Sequence, residues 1–218
     1  MIQIPVHNQT GEQVGTVEVS EEVLGGEVRN GLLKQAYVRY HANKRTGTAR
    51  TKNRADTAYS TRKLYKQKGT GNARRGSAGT NVMRHGGHGF AKRPKSWRQG
   101  MPTKMRRLAN RNALLAKAVD NEIKLIDNLS LDKPSAKSFN AILDALKVDR
   151  TCLVALADTR SNEAKSAANL DNVNTIQVDH LNVFDLLNHR YLVADKAAFE
   201  AYIEKVTVQA DVNNEEAA

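Results

Sequence analysis

Between residues 39 and 111 the chain carries 21 of its 34 lysines and arginines and a single acid, Asp56, so this third of the sequence holds a net charge of +20. The rest brings 13 basic and 22 acidic side chains, a net of −9, and the whole comes to +11. The same segment holds nine of the fourteen glycines, no isoleucine, and only scattered large apolar side chains: Leu64, Val82, Met83, Phe90, Trp97, Met101, Met105 and Leu108. So composed, it cannot bury a core of its own, and its like charges keep it open. Glycines at Gly69, Gly71, Gly86, Gly87 and Gly89 punctuate it where neither helix nor strand is favoured. A compact domain carries a structureless loop of this length only when the loop is functional or disordered. The expectation is a long irregular excursion from an acidic body, ordered by a polyanion outside the chain. If about ten of its cations meet phosphates, log K falls with log salt at a slope of roughly −7 to −9.

The 218 residues leave room for one domain with a large extension, or for two small domains. No stretch approaches the roughly 18 to 20 consecutive apolar residues of a membrane span. The opening MIQIPVHNQTGEQ lacks a basic region followed by an apolar one, so a cytosolic protein without a secretory leader is expected. The single cysteine, Cys152, excludes an internal disulfide and a Cys-rich zinc site.

Ahead of the basic segment, MIQIPV and QVGTVEVS read as strands of a hairpin turned at Asn8 and Gly11. A helix over about 31–42 follows, with Asn30 as N-cap and Leu33, Ala36, Tyr37 and Tyr40 on one face. Beyond the segment, a helix over about 103–120 repeats Met105, Leu108, Leu115 and Val119 at helical spacing. Then come the strand IKLI, the helix SAKSFNAILDAL, the strand CLVALA, an Ala-rich helix near 161–169, the strand TIQV, the helix VFDLLNH, the strand YLVA and the helix KAAFEAYIEKV. Such alternation predicts an α/β fold: an open, mostly parallel sheet flanked by helices through right-handed crossovers, with an N-terminal β-hairpin and a long basic irregular loop inserted. The expected divisions are 1–43 (hairpin and first helix), 44–102 (basic Gly-rich loop), 103–210 (α/β remainder) and 211–218 (an acidic tail that frays).

Searches for catalytic chemistry return near misses. Gly69-Thr-Gly71 begins like a dinucleotide fingerprint but Arg74 stands where its last glycine would be; Gly71 and Gly76 have P-loop spacing without the lysine. Neither follows a predicted strand or opens a helix. His41, His85 and His88 have no carboxylate or cysteine to complete a metal set, and phosphate or base contact suits them better. His180 and His189 read as structural, Cys152 as a buried small hydrophobe, and Asp158 and Asp179, near strand ends, as helix caps. No catalytic constellation, cofactor site or metal site is expected.

A solvated face does not account for twenty excess cations without internal counterions. Tyr59, Tyr65, Phe90 and Trp97 interleave with them, and such rings stack on unpaired bases or pack in RNA grooves. No recognition helix or zinc finger offers major-groove readout, so a folded RNA fits better than duplex DNA. The candidate RNA contacts are Lys44, Arg45, Arg50, Lys52, Arg54, Arg62, Lys63, Tyr65, Lys66, Lys68, Gly69, Gly71, Arg74, Arg75, Arg84, His85, His88, Phe90, Lys92, Arg93, Lys95, Trp97, Arg98, Lys104, Arg106 and Arg107. An RNA-acting enzyme with a basic arm and a free nucleoid or RNA-chaperone protein are the rival classes, the first lacking a catalytic cluster.

The string LYKQKGTGNARRGS at 64–77 resembles the signature of the large-ribosomal-subunit protein four family in its bacterial form. GGHGFAKRP at 86–94 resembles that family's glycine, phenylalanine and proline stretch, and KMRRLA at 104–109 the start of its next helix. The chain departs at Tyr65-Lys66, where the family favours Trp followed by Arg, and at Asn72, where it often has a base. The resemblance implies a non-enzymatic, monomeric constituent of the cytoplasmic large ribosomal subunit. Its loop would thread into large-subunit rRNA, support assembly, and line the nascent-peptide exit tunnel with Lys66, Gln67, Lys68, Gly69 and Thr70. The implied partners are rRNA, neighbouring large-subunit proteins and the nascent polypeptide, with no membrane.

Overall fold

The computed structural model describes residues 1–215, and the side chains through Val208. The chain divides into two units, one formed by Met1–His41 with Gly100–Ala218 and the other by Ala42–Gln99. Sequence had placed the loop boundaries at 44 and 102.

In the first unit β1 (Ile2–His7) and β2 (Gln13–Val19) pair antiparallel. The turn is held by the Asn8 side chain, whose Oδ1 accepts from the Thr10 and Glu12 amides at 3.0 and 2.9 Å, and Gly11 takes φ +85°. Then follow α1 (Asn30–Lys44), α2 (Thr103–Val119), β3 (Ile123–Ile126), α3 (Ala136–Ala145), β4 (Cys152–Leu156), α4 (Asn162–Ala167), β5 (Val173–Gln177), a 3-10 turn (Val178–His180), α5 (Val183–Asn188), β6 (Tyr191–Asp195) and α6 (Lys196–Glu215). The sheet order is β2-β1-β3-β6-β4-β5, parallel everywhere except β1 with β2. The stretch 211–215, expected to fray, is helical along its backbone, and 216–218 of that expected tail lie outside the described residues.

Both faces are covered over the central strands β3, β6 and β4, which is why these read as short apolar runs, whereas the edge strand β2 is largely exposed. Alternate residues of β4 divide between two cores: Leu153 and Ala155 face one, Cys152, Val154 and Leu156 the other. Leu33 and Ala36 of α1, five residues of α2, Val183 and Leu186 of α5 and Phe199 of α6 fill the first core. Phe139, Ile142 and Leu143 of α3 and Ala164 and Ala167 of α4 fill the second.

Three helices start on side-chain caps: Ser135, Ser161 and Asn182 accept from the amides of Ser138, Ala164 and Asp185 at 3.3, 3.3 and 3.0 Å. Asn30 is not the cap of α1 but its first helical residue, and the Arg29 carbonyl accepts from Leu33 at 3.1 Å. In α2 the buried face runs through Ala109, Asn112, Ala113, Leu114, Leu115 and Ala118, whereas Met105 and Val119, placed on the apolar repeat by spacing, are exposed. Leu115 is buried as its spacing implies, and it shares the face with Leu114 and three alanines whose small size lets the helix pack closely. Two asparagines in mid-helix have work there. Asn112 donates to the Leu24 carbonyl and accepts from the Arg29 amide, while Asn110 donates to the Leu181 carbonyl and accepts from the Val183 amide. Each ties a loop to α2 and has both ends of its own amide paired.

The carboxylates near strand ends cap no helix. Asp158 accepts from the Arg160 amide two residues on, with Ser161 capping α4, and Asp179 pairs with Lys205 at 2.8 Å. His189 is buried between Asn174 and the Asp185 carbonyl, both at 2.7 Å, a structural histidine. Cys152 is fully buried, and burial pushes its thiol pKa up to about 12, so it is no nucleophile at neutral pH.

Candidate nucleic-acid interface

The unit Ala42–Gln99 contributes no residue to either core. What organises it is an out-and-back ladder of main-chain and side-chain bonds. Asn43 holds Gln99 through two bonds, the Lys95 amide donates to the Gly47 carbonyl at 3.0 Å, Thr51 and Lys92 bond reciprocally, and the His88 amide donates to the Lys52 carbonyl at 2.9 Å. The arms approach closely at Gly47, where φ is +64° and a Cβ would stand 2.1 Å from the Lys95 oxygen. Changing Gly47 to alanine strains both the backbone and the contact. We expect the Lys95 amide to exchange with solvent about tenfold faster or more, equivalent to about 1.4 kcal/mol, with β4 amides unchanged in the same hydrogen-exchange measurement.

Asp56, the one acid of the unit, closes a turn. Its carboxylate accepts from the Asn53 amide at 3.3 Å and from Arg50 at 2.9 Å, while the Asn53 side chain accepts from the Asp56 amide at 2.9 Å. Beyond it the ring of Tyr59 lies against Gly79, where a Cβ would stand 2.2 Å from the ring. The tip is then spanned by the Leu64 amide on the Gly76 carbonyl at 3.0 Å and by the Tyr65 hydroxyl on the Ala73 carbonyl. Gly69 and Gly71 have positive φ with open space around them, as exposed turn residues. The near-miss phosphate motifs therefore lie on an exposed tip, away from any strand or helix.

All sixteen cations of this unit are exposed: Lys44, Arg45, Arg50, Lys52 and Arg54 on the outgoing arm; Arg62, Lys63, Lys66, Lys68, Arg74 and Arg75 around the tip; Arg84, Lys92, Arg93, Lys95 and Arg98 on the return. Gln67, Thr70, His85 and His88 are exposed with them. Sixteen cations against Asp56 leave a net +15 on one core-less unit. Lys104, Arg106 and Arg107 belong instead to the first turn of α2 in the other unit. That turn carries no acid and no side-chain cap, against the preference of the helix dipole.

The four rings divide. Phe90 is fully exposed, at 105%. Trp97 is held by Arg45, 3.7 Å from the ring centroid, and Lys95 at 4.4 Å, so a ring expected to meet bases serves cation–π contacts within the chain. Tyr59 is packed on Gly79, and Tyr65 spends its hydroxyl on Ala73. Phe90 is the most exposed of the four and the one best presented for stacking. Among the described residues no group of three His, Cys, Asp or Glu could hold a metal ion, and no helix is long and apolar enough to cross a membrane.

A family model described as the ribosomal protein L4/L1 family matches residues 17–205, a span that includes both the sixteen-cation unit and most of the sheet. Proteins named large ribosomal subunit protein uL4 from Dehalococcoides mccartyi strains BAV1 and CBDB1 are 42% identical over 197 residues, covering 90% of this chain and 94% of theirs. The corresponding protein of strain 195 is 41% identical over the same length.

Proposed function

Because the chain belongs to the ribosomal protein L4/L1 family, we propose that it is a structural constituent of the large ribosomal subunit that binds large-subunit rRNA through the segment 44–102. The observation that carries this is the exposure of every cation in a unit that has no core and one acid. Such a surface gains little from the rest of the chain and much from phosphate, and its arginines can hold phosphate oxygens in bidentate forks. Phe90 supplies a ring for base stacking. The ladder and the Asp56 turn shape the arms, so less order has to be imposed by the RNA.

Lys66, Gln67, Lys68, Gly69 and Thr70 form the tip that, by family resemblance, lines the exit tunnel beside the nascent chain; their exposure and the open space around Gly69 support that placement. In this reading the protein works as one copy within the cytoplasmic ribosome, among neighbouring large-subunit proteins, and breaks no bond. The test is a sucrose gradient of lysate after a high-salt wash, blotted for the chain. Retention on the large subunit is expected, because an electrostatic passenger is stripped as screening rises. Quantitative release to the soluble fractions would refute the assignment.

A further inference from the structure

In the α/β unit a cavity of about 360 Å³ opens between α2 and α6 over the 3-10 turn. The two helices face it with matched triplets at i, i+3 and i+4, Arg107, Asn110 and Arg111 from α2 and Tyr202, Lys205 and Val206 from α6. We propose that this cavity is a phosphate seat, taking one backbone phosphate of RNA between the guanidinium groups of Arg107 and Arg111.

The charges around the cavity do not balance from within. Lys205 is spent on Asp179, with which it makes bonds of 2.8 and 3.1 Å. That carboxylate is the one acid of the lining, so both guanidiniums are left over. Arg111 is held in place by a bond of 3.3 Å from Nη1 to the Val23 carbonyl, while its Nε is buried without a hydrogen-bond partner. Burial lowers its pKa from the ordinary value, yet a guanidinium stays charged at any physiological pH. A part-buried guanidinium held by one bond, with an N–H left unpaired, has donors to spare for an acceptor.

Two neighbours complete the seat. Asn110 has both ends of its amide engaged, on the Leu181 carbonyl and the Val183 amide, so it fixes the floor and does not compete for ligand. Tyr202 is kept protonated by burial and by the charge of Asp179, which raise its phenol pKa, so it offers a neutral O–H donor.

The RNA source rests on the rRNA-binding reading; the seat does not. Inorganic phosphate titrated into the full chain, followed by NMR at the Arg111 Nε–H, should move that signal saturably, and Arg107→Gln should weaken the apparent affinity about tenfold. In parallel, the Arg107→Gln/Arg111→Gln double variant should flatten the salt slope of large-subunit rRNA binding by roughly 1.4 to 1.8. Lys137→Gln, an exposed change on α3, sets the background for generic charge loss. Should the double variant fold poorly, Arg107→Gln alone, at an exposed position, still predicts a slope change of about 0.7 to 0.9. A phosphate shift with an unchanged slope would assign the seat to free phosphate and overturn the RNA source. An Arg111 signal indifferent to phosphate would overturn the seat. If the wild-type chain fails to bind rRNA at all, the functional reading falls with the RNA source, and the phosphate titration alone decides the seat.

Discussion

Replacing Arg62, Lys63, Lys66, Lys68, Arg74 and Arg75 together by glutamine will lower the affinity of the full chain for large-subunit rRNA by about 10³- to 10⁴-fold near physiological salt, and will make the salt slope shallower by about 4 to 5. Six lost phosphate contacts account for both numbers, since each released counterion enters the equilibrium as a power of the salt concentration. The fold will not follow. All six side chains are exposed, none touches either core, and the tip bond from Leu64 to Gly76 is made by the main chain. Anisotropy titrations from 50 to 300 mM salt, with thermal melts of the same samples, check the pair of expectations. Unchanged affinity would sink the tip's role in RNA binding, and a lost melt would move the effect from charge to folding.

The opposite separation is expected for Phe139→Ala. Phe139 is fully buried at the centre of the second core, brought there by α3 and packed among Ile142, Leu143, Val154 and Val193. Truncating such a ring removes its burial and leaves a cavity, together costing about 3–5 kcal/mol. For a body of this size the midpoint should fall by roughly 6 to 20 °C. The cations of Ala42–Gln99 are untouched, so the salt slope of rRNA binding should persist below the new midpoint, where it can be read by the same titration. A midpoint unmoved by the change would mean that α3 does not pack as described.

Much of the α/β body is legible because period and chemistry agree. CLVALA is a buried strand by its apolar run and SAKSFNAILDAL a helix by its period, whereas the caps of α4 and α5 fall to Ser161 and Asn182 and not to Asp158 and Asp179. The alternation also implied the parallel sheet, but not its order. No local signal says that β6 inserts between β3 and β4, because that choice is made by packing among residues distant in sequence. The misplaced face of α2 has a similar origin: Met105 and Val119 obey the period, yet Ala109 and Ala113 are what the sheet accepts. In the basic segment, charge was read correctly as exposed charge, because nothing buries an uncompensated lysine cheaply. The aromatic rings were another matter. A tryptophan between cations can stack on a base or on its own neighbours, and only three-dimensional placement shows that Arg45 and Lys95 take it. The seat beside Arg111 left one faint trace in sequence, asparagine and arginine in the middle of an otherwise alanine-rich helix.

The position of β6 also sets an order in time. A chain made only as far as Arg190 has β2-β1-β3 and β4-β5 as separate half-sheets, with no hydrogen-bond ladder between them, since each is joined to the other through Tyr191–Asp195. The sixteen cations end at Arg98, well before that closing strand. At about 5 to 20 residues per second, some 5 to 20 s of synthesis separate the last of them from the completed sheet. Throughout that interval the sixteen-cation unit is complete while the sheet still lacks its closing strand, so on the rRNA-binding reading the chain offers its charge to RNA before its body can finish folding.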